Sequence, residues 1–270
     1  MKKISRWLLC LLCAVIVISC STVAFTGRKR MLLYSNSEIS SLSTQSYYEF
    51  MSTSAPSTNV VKTSMIREVG NRLAKALDSY LAAKGESHLL DDINWEFYLV
   101  RSDQANAFCL PDGKVVFYEG IMPVLTTPDM IAVVMSHEMG HAIARHGNER
   151  MTQQALSSIV GAVTGQIIGL KTSESGRVLF ETAYAIGSQY GYLLPFSRKH
   201  ELEADEIGLY IMAIAGFDIT QAPLLWERMA QAKTTSVPEV LSTHPSDSKR
   251  MKNLEKLIEQ ARKYSNKAAK

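Results

Sequence analysis

The spacing of apolar residues changes twice along the chain. Between residues 36 and 92 they recur at intervals of three and four, which predicts two helices, over residues 37–52 and 59–84. Residues 93–100, INWEFYLV, are rich in aromatic and β-branched side chains and predict a strand. Segments 107–110 and 114–118 flank the turn residues Pro-Asp-Gly and predict a hairpin. Together the three segments indicate a small antiparallel sheet.

Helical periodicity returns at Pro128 and continues to the end of the chain. Proline in the first turn and Asp129 beside it are favoured at a helix N-terminus. No helix breaker follows before Gly147, so one continuous helix is predicted over this segment. Further helices are predicted over residues 153–170, 173–190, 198–215, 220–231 and 246–264. The predicted fold class is α+β and mostly α-helical, with the small antiparallel sheet beside the helix that begins at Pro128.

The N-terminus has the pattern of an export signal. Lys2, Lys3 and Arg6 precede an uncharged apolar run, and this run ends at VISC, which resembles the lipobox of bacterial lipoproteins. We therefore predict a lipoprotein signal peptide over residues 1–19, a lipidated Cys20 with a linker to residue 35, and one domain over residues 36–270. An uncleaved anchor remains the alternative, because the uncharged residues 7–25 approach the roughly 20 that span a bilayer as a helix.

Charge and cysteine content exclude two classes of protein. The chain has 29 basic and 26 acidic residues, and without Lys2, Lys3 and Arg6 the balance is 26 to 26. A neutral chain gives no reason to expect nucleic-acid binding. Basic residues of the last predicted helix, Arg250 among them, are interpreted as a solvated face. Cys109 is the one cysteine expected after residue 20, so an internal disulfide is excluded and a small buried side chain is expected.

The stretch SHEMGHAIARH, residues 136–146, contains the pattern HExxH. His137 and His141 lie one turn apart on a helix, where two imidazole nitrogens can hold one zinc ion. Glu138 falls beside them and can reach a water molecule without binding the metal. Catalytic zinc usually has three protein ligands and one open position, so a third ligand must come from elsewhere in the chain.

The third ligand is ambiguous on spacing alone. The extended motif HExxHxxGxxH fails, because Ala144 and Gly147 occupy its last two fixed positions. His146 would lie roughly 140° from the ligand face of a continuous helix, which favours a satisfied or exposed histidine. The segment SRKHELEADEIG offers Glu201 and Asp205 on one face, with Glu203 about 200° away from Glu201. Spacing also allows His200 to be the third ligand, and it allows the whole segment to be a charged helix surface without a ligand.

Three motifs in order resolve the ambiguity by resemblance. HEMGH, LPFSRKHELEAD and THPSDSKR resemble the zinc metallopeptidase family that includes HtpX, the CAAX prenyl protease and BepA. The similarity begins at TGRKRMLLYS, passes through NAFCLPDGKVVFYEGI and covers most of the chain after the signal. It implies a zincin-like domain with one zinc ion, Glu201 as the third ligand and Asp205 supporting a ligand histidine. His244, followed by Pro245, would lie near the metal as a displaceable fourth ligand, an oxyanion donor or a structural histidine.

The resemblance also implies a function. We expect a compact, lipid-anchored zinc metalloendopeptidase, with Glu138 as general base, that cleaves misfolded or unassembled envelope proteins. Such a protein would face the periplasm of a bacterial cell envelope from the outer membrane. The substrate would pair as a strand with residues 114–118, taken as the sheet edge. The alternatives are an assembly factor or holding chaperone with zinc closed by His244, and an idle membrane-anchored adaptor. An intact Glu138 argues against both.

Overall fold

The computed structural model describes residues 20–163, 197–231, 244 and 248–268. Within these residues the strands are β1 (Cys20–Thr22), β2 (Lys29–Met31), β3 (Glu96–Val100), β4 (Ala107–Cys109) and β5 (Lys114–Tyr118). The helices there are α1 (Asn36–Thr53), α2 (Val60–Ala83), α3 (Pro128–Ile143), α4 (His146–Val163), α5 (Arg198–Ile214), α6 (Gln221–Gln231) and α7 (Ser248–Ala268). Two short 3₁₀ turns cover Ser87–Leu90 and Glu119–Ile121. None of the helices in this part of the chain is both long and apolar enough to cross a membrane.

The predicted fold class is confirmed, with two corrections to detail. The sheet has the order β3-β5-β4 and is mixed, because β5 pairs antiparallel with β4 but parallel with β3. The helix predicted from Pro128 to Gly147 is two helices, because Arg145 has a left-handed backbone with φ 53°. The helix predicted over residues 173–190 and the signal peptide over residues 1–19 lie outside the described residues.

The sheet separates two apolar clusters. Alternate residues of β5 point to opposite faces, as a pleated strand requires. Val115 and Phe117 join the larger cluster with helices α2, α3, α5 and α6, whereas Val116 and Tyr118 pack with α1 and Met151 of α4. Helix α3 therefore lies in the interior, and its residues Met130 to Ile143 are all buried.

Residues 20–35 do not form the linker that the sequence suggested. Strands β1 and β2 pair as an antiparallel hairpin, and Val23 between them is only 2% exposed. Phe25 packs among the rings of Tyr80, Tyr210 and Tyr264. This N-terminal hairpin belongs to the folded unit because its aromatic and branched side chains complete the larger core. Lipidation of Cys20 stays a prediction.

Helices α3 and α5 approach each other more closely than side chains would allow. A Cβ atom on Gly140 would lie 2.9 Å from the carbonyl oxygen of Ala204, and one on Gly208 would lie 3.1 Å from the backbone nitrogen of His137. Glycine at both positions lets the two backbones touch. The contact brings the HExxH segment directly against the segment HELEAD.

Replacing Gly140 with alanine should therefore destabilise the fold. Alanine gains roughly 1 kcal/mol of helix propensity, but displacing a backbone in a packed interior costs about 1–3 kcal/mol, and here the obstacle is a carbonyl group. We expect a lower midpoint of thermal unfolding for Gly140→Ala, measured by circular dichroism. Asn71→Ala, at an exposed position of α2, is the matched control and should not lower it. A midpoint for Gly140→Ala at or above that of the unchanged protein would contradict the close-contact account.

Candidate metal centre

Local interactions fix both ends of the helix that carries HExxH. At its start the Thr127 side chain accepts a hydrogen bond from the backbone N–H of Met130 at 3.2 Å. At its end the left-handed Arg145 takes the position that glycine usually occupies. The guanidinium of Arg30, from the N-terminal hairpin, donates to the carbonyl oxygen of Ala144 and, at 3.4 Å, to that of Ile143. A buried cation thus satisfies carbonyl groups that the helix end leaves open.

Four buried side chains meet where α3 faces α5. They are His137, His141, Glu201 and His244, each at most 5% exposed. His137 Nε2 lies 3.1 Å from His141 Nε2 and 3.2 Å from His244 Nδ1. The Glu201 carboxylate lies 3.5 Å from His137 Nε2, 3.4 Å from His141 Nε2 and 3.1 Å from His244 Nδ1.

These separations have the size of a tetrahedral coordination shell. Ligand atoms about 2.0–2.1 Å from a tetrahedral zinc ion lie roughly 3.3–3.4 Å apart, and the observed 3.1–3.5 Å brackets that value. Imidazole nitrogen and carboxylate oxygen are also ligand types that zinc accepts. The cluster, whose four ligand atoms all lie within 4.8 Å of one another, could therefore hold one metal ion.

Charge in the cluster is balanced before any metal binds. Burial raises the pKa of Glu201, but His244 and Arg250 hold it well below its usual range, so the carboxylate is ionised. Burial lowers the pKa of His137, yet hydrogen bonds to Asp205 and Glu201 raise it to about 9. A proton on His137 is therefore what a bound cation would replace.

Asp205, for which the resemblance implied a supporting role, contacts the ring of His137. Its Oδ1 lies 2.9 Å from His137 Nδ1, which leaves Nε2 of that ring turned toward the cluster. Arg250 pairs with two of the acidic side chains of α5, at 2.8 Å from Glu201 and 2.7 Å from Asp205. The interpretation of Arg250 as part of a solvated face is wrong, because this residue is 1% exposed and pairs with two buried carboxylates.

Glu138 lies beside the cluster and outside the set of four. Its Oε1 is buried, accepts no hydrogen bond within the described part of the chain and lies 3.5 Å from His244 Nε2. Burial raises the pKa of Glu138, although His244 and His137 act to lower it. A carboxylate with a raised pKa next to a metal site suits a group that takes up and releases a proton.

The sequence analysis missed the position of His146 and the contact that Glu203 makes with it. The rotation argument placed His146 away from the site, but it assumed a continuous helix, and the break at Arg145 turns His146 back. His146 is fully buried, with Nδ1 2.9 Å from His141 Nδ1 and Nε2 2.9 Å from the Glu203 carboxylate. Burial lowers the pKa of His146 well below its usual value, so its ring is neutral. Glu203 does point away from Glu201, as predicted, but into this contact.

The N-terminal hairpin reaches the same contact from the other side. Arg28 donates to Glu203 at 2.6 Å and to both oxygens of Glu149 at 2.9 and 2.7 Å. The Thr26 hydroxyl donates to the second oxygen of Glu203 at 2.5 Å. Burial raises the pKa of Glu149, but His200 and Arg28 lower it to about 2. His200, an open candidate for the third ligand, therefore pairs with Glu149 at 3.3 Å instead of joining the cluster.

Strand β4 forms the sheet edge nearest α3, which corrects the expectation that residues 114–118 do. Those residues are β5, the central strand, and are paired on both sides. Phe108 is opposite Val116 in a hydrogen-bonded pair, so Ala107 and Cys109 occupy the non-hydrogen-bonded positions of the antiparallel ladder. Their remaining backbone groups point away from β5. Cys109 is buried, as expected.

Comparison with known proteins agrees with this geometry. A model of the peptidase family M48 matches residues 62–258, which include α3, α5 and His244. The chain belongs to peptidase family M48. The metallopeptidase resemblance of the three motifs is thereby confirmed, and so is a zincin-like fold.

Relatives of the chain include proteins named as proteases. It is 36% identical over 191 residues to the mitochondrial metalloendopeptidase OMA1 of Schizosaccharomyces pombe, covering 70% of this chain and 53% of that protein. It is 30% identical over 253 residues to human mitochondrial metalloendopeptidase OMA1, covering 88% and 46%. It is 30% identical over 162 residues to the β-barrel assembly-enhancing protease of Escherichia coli K12, covering 58% and 33%. The chain thus spans about half or less of the length of these relatives.

Proposed function

We propose that the protein is a zinc-dependent metalloendopeptidase. The observation that carries the proposal is the set of four buried ligand atoms within 4.8 Å of one another, beside which lies Glu138, a carboxylate with a raised pKa. Membership of peptidase family M48 supports the reaction class. His137, His141 and Glu201 would hold one zinc ion, and Asp205 would orient His137 through its Nδ1–H.

The chain's own residues supply the proton transfers of peptide hydrolysis. A zinc ion at this site would acidify a water molecule and polarise the scissile carbonyl group. Glu138 would take the proton of the attacking water and return it to the leaving amine. Arg250 would keep the charge of Glu201 and Asp205 balanced, so that the buried site binds its metal without an uncompensated carboxylate.

His244 would occupy the fourth position and be displaced when substrate enters. Its Nδ1 lies at ligand spacing from His137 and Glu201, and its Nε2 faces Glu138. A zinc ion closed by His244 also defines the second candidate, an assembly factor or holding chaperone without proteolysis. The same contact supports both, so activity has to separate them.

Removal of the general base should abolish cleavage without removing the metal. We expect Glu138→Gln to degrade an unfolded reporter protein about 10²–10⁴-fold more slowly than the unchanged protein at equal zinc content. His244→Ala should cleave faster if His244 holds the zinc latent, and more slowly if it stabilises the oxyanion. Loss of the reporter is followed by gel electrophoresis, and zinc is determined in the same samples. If neither the unchanged protein nor His244→Ala cleaved the reporter although both contained zinc, the result would favour the holding role.

Substrate would bind as an added strand along β4. The outward backbone groups of Cys109 and the outward carbonyl group of Ala107 can pair with an extended peptide beside α3, with little demand on sequence. The Ala107 N–H already donates to the Asn106 side-chain oxygen at 2.9 Å. Scanning a cleavable reporter peptide with N-methyl groups tests this. Methylation should block cleavage at alternate residues, since only every second amide faces the edge strand. Cleavage that is lost at every position, or at the scissile amide alone, would argue against strand addition.

We further propose that the protein is a lipoprotein of the bacterial envelope that acts on misfolded or unassembled envelope polypeptides. The VISC sequence supports lipidation of Cys20, and the E. coli relative is named for enhancing β-barrel assembly. The two other relatives described above are mitochondrial by name, so this assignment depends on the first 20 residues. An outer-membrane location facing the periplasm and the absence of nucleic-acid partners are part of the same proposal.

Lipidation can be measured directly. In a Gram-negative host, radioactive palmitate should label the unchanged protein and the control Cys13→Ser, in which a leader cysteine is replaced. It should not label Cys20→Ser. An unlabelled chain that keeps its full-length mass in all three cases would support the uncleaved anchor.

A further inference from the structure

We propose that His146 and Glu203, held by the N-terminal hairpin, position the metal ligand His141. The starting observation is a continuous run of contacts from Arg28 through Glu203 and His146 to His141 Nδ1, all within 3 Å. The inference rests on the proposed zinc site but does not depend on the proposed peptidase activity. His146 and Glu203 are positioning residues, because neither touches the place where the four ligand atoms converge.

The donors and acceptors along these contacts assign the position of each proton. Glu203 accepts from the Arg28 guanidinium and the Thr26 hydroxyl, so its carboxylate is an acceptor for His146 as well. His146 must then donate from Nε2, and a neutral imidazole that donates at one nitrogen accepts at the other. Nδ1 of His146 therefore accepts the proton of His141 Nδ1–H. This leaves the lone pair of His141 Nε2 directed at the metal position.

The arrangement parallels the support of His137 by Asp205, but it is built differently. Asp205 contacts its histidine directly at 2.9 Å, whereas Glu203 acts on His141 through a second imidazole ring. The difference arises from the break at Arg145, which starts a new helix at His146 next to His141. Both ligand histidines thus have an assigned tautomer, each set by a carboxylate of α5.

The hairpin makes the site sensitive to the N-terminal segment. Thr26 and Arg28 follow β1 within a few residues, and Arg28 joins Glu203 of α5 to Glu149 of α4. Arg30 of the same hairpin contacts the end of α3. The three helices around His141 are therefore held together by cations from a segment that the sequence marks as a linker.

Zinc affinity of the full chain, purified in detergent, tests the inference without any protease assay. Competition with a coloured zinc chelator gives the dissociation constant. We expect His146→Phe and Glu203→Gln to bind zinc about 10–100-fold more weakly, the usual cost of losing a group that orients a ligand. His146→Asn should recover most of the affinity, because its Oδ1 lies near the place of Nδ1 and can accept from His141. Glu206→Gln, three residues along the same helix, is the control and should bind zinc normally.

Charge removal in the hairpin separates positioning from a general electrostatic effect. Arg28→Ala should weaken zinc binding, whereas Lys29→Ala, which removes the same charge at the neighbouring exposed position, should not. Combining Arg28→Ala with Glu203→Gln should weaken binding no further than Glu203→Gln alone, since both act through one run of contacts.

Thermal unfolding of the zinc-free proteins distinguishes a purely structural role. Such a role would lower the unfolding midpoint of His146→Phe while the folded variant bound zinc normally, and this result would overturn the inference. If Glu203→Gln and Arg28→Ala bound zinc as tightly as the unchanged protein, this result would overturn the inference as well, even if His146→Phe did not fold. Failure of the unchanged protein to bind zinc would overturn both this inference and the proposed function. If the unchanged protein bound zinc but cleaved no substrate, and the variants bound zinc more weakly, the inference would be supported and only the peptidase proposal would fail.

Discussion

The backbone contact between α3 and α5 is the constraint on which the metal centre depends. Gly140 and Gly208 have no Cβ atoms, so the backbone of each lies against the backbone of the opposite helix, Gly140 at the carbonyl oxygen of Ala204 and Gly208 at His137. At that separation a histidine on α3 and a glutamate on α5 can reach one point. A larger residue at either glycine would move the two ligand sets apart before any of the ligands had changed.

Burial of Glu201, Asp205 and Glu203 is stable because each of these carboxylates has a cationic partner. Glu201 and Asp205 are almost fully buried, and an unpaired carboxylate in that position would cost several kcal/mol. Arg250 from α7 compensates both, and the Trp226 ring packs against the guanidinium at 4.2 Å. Glu203 and Glu149 are compensated in the same way by Arg28. The cations come from the two ends of the described chain, so the site requires the whole fold.

Sequence spacing was sufficient to predict which residues share a face when they lie on one helix. His137 and His141, or Glu201 and Asp205, are four residues apart, and a helix places such pairs on one face wherever it lies in the fold. Spacing could not choose Glu201 over His200, because that choice depends on how α5 is rotated against α3. Resemblance to the family supplied the choice.

The residues that sequence reasoning missed depend on tertiary structure or on an unusual backbone. Nothing in the sequence marks Arg145 as left-handed, since the expected signal is glycine, and without that break His146 is placed on the wrong side of the helix. Arg250 was interpreted as part of a solvated face because its carboxylate partner Asp205 is more than forty residues away along the chain. Arg28 fell in the predicted linker, and its carboxylate partners are more than a hundred residues away. Strand β5 was taken for an edge because parallel pairing with β3 has no local turn signal.

His137, His141, Glu201 and His244 are the residues that we propose to surround one zinc ion. Crystallographic anomalous scattering at the zinc absorption edge, on protein purified with zinc, locates the metal and its ligands in one measurement. We expect a single anomalous peak, from a zinc ion bound by Nε2 of His137 and His141, a Glu201 oxygen and His244 Nδ1. A peak at His146 and His200, or no peak in a zinc-saturated crystal, would contradict it.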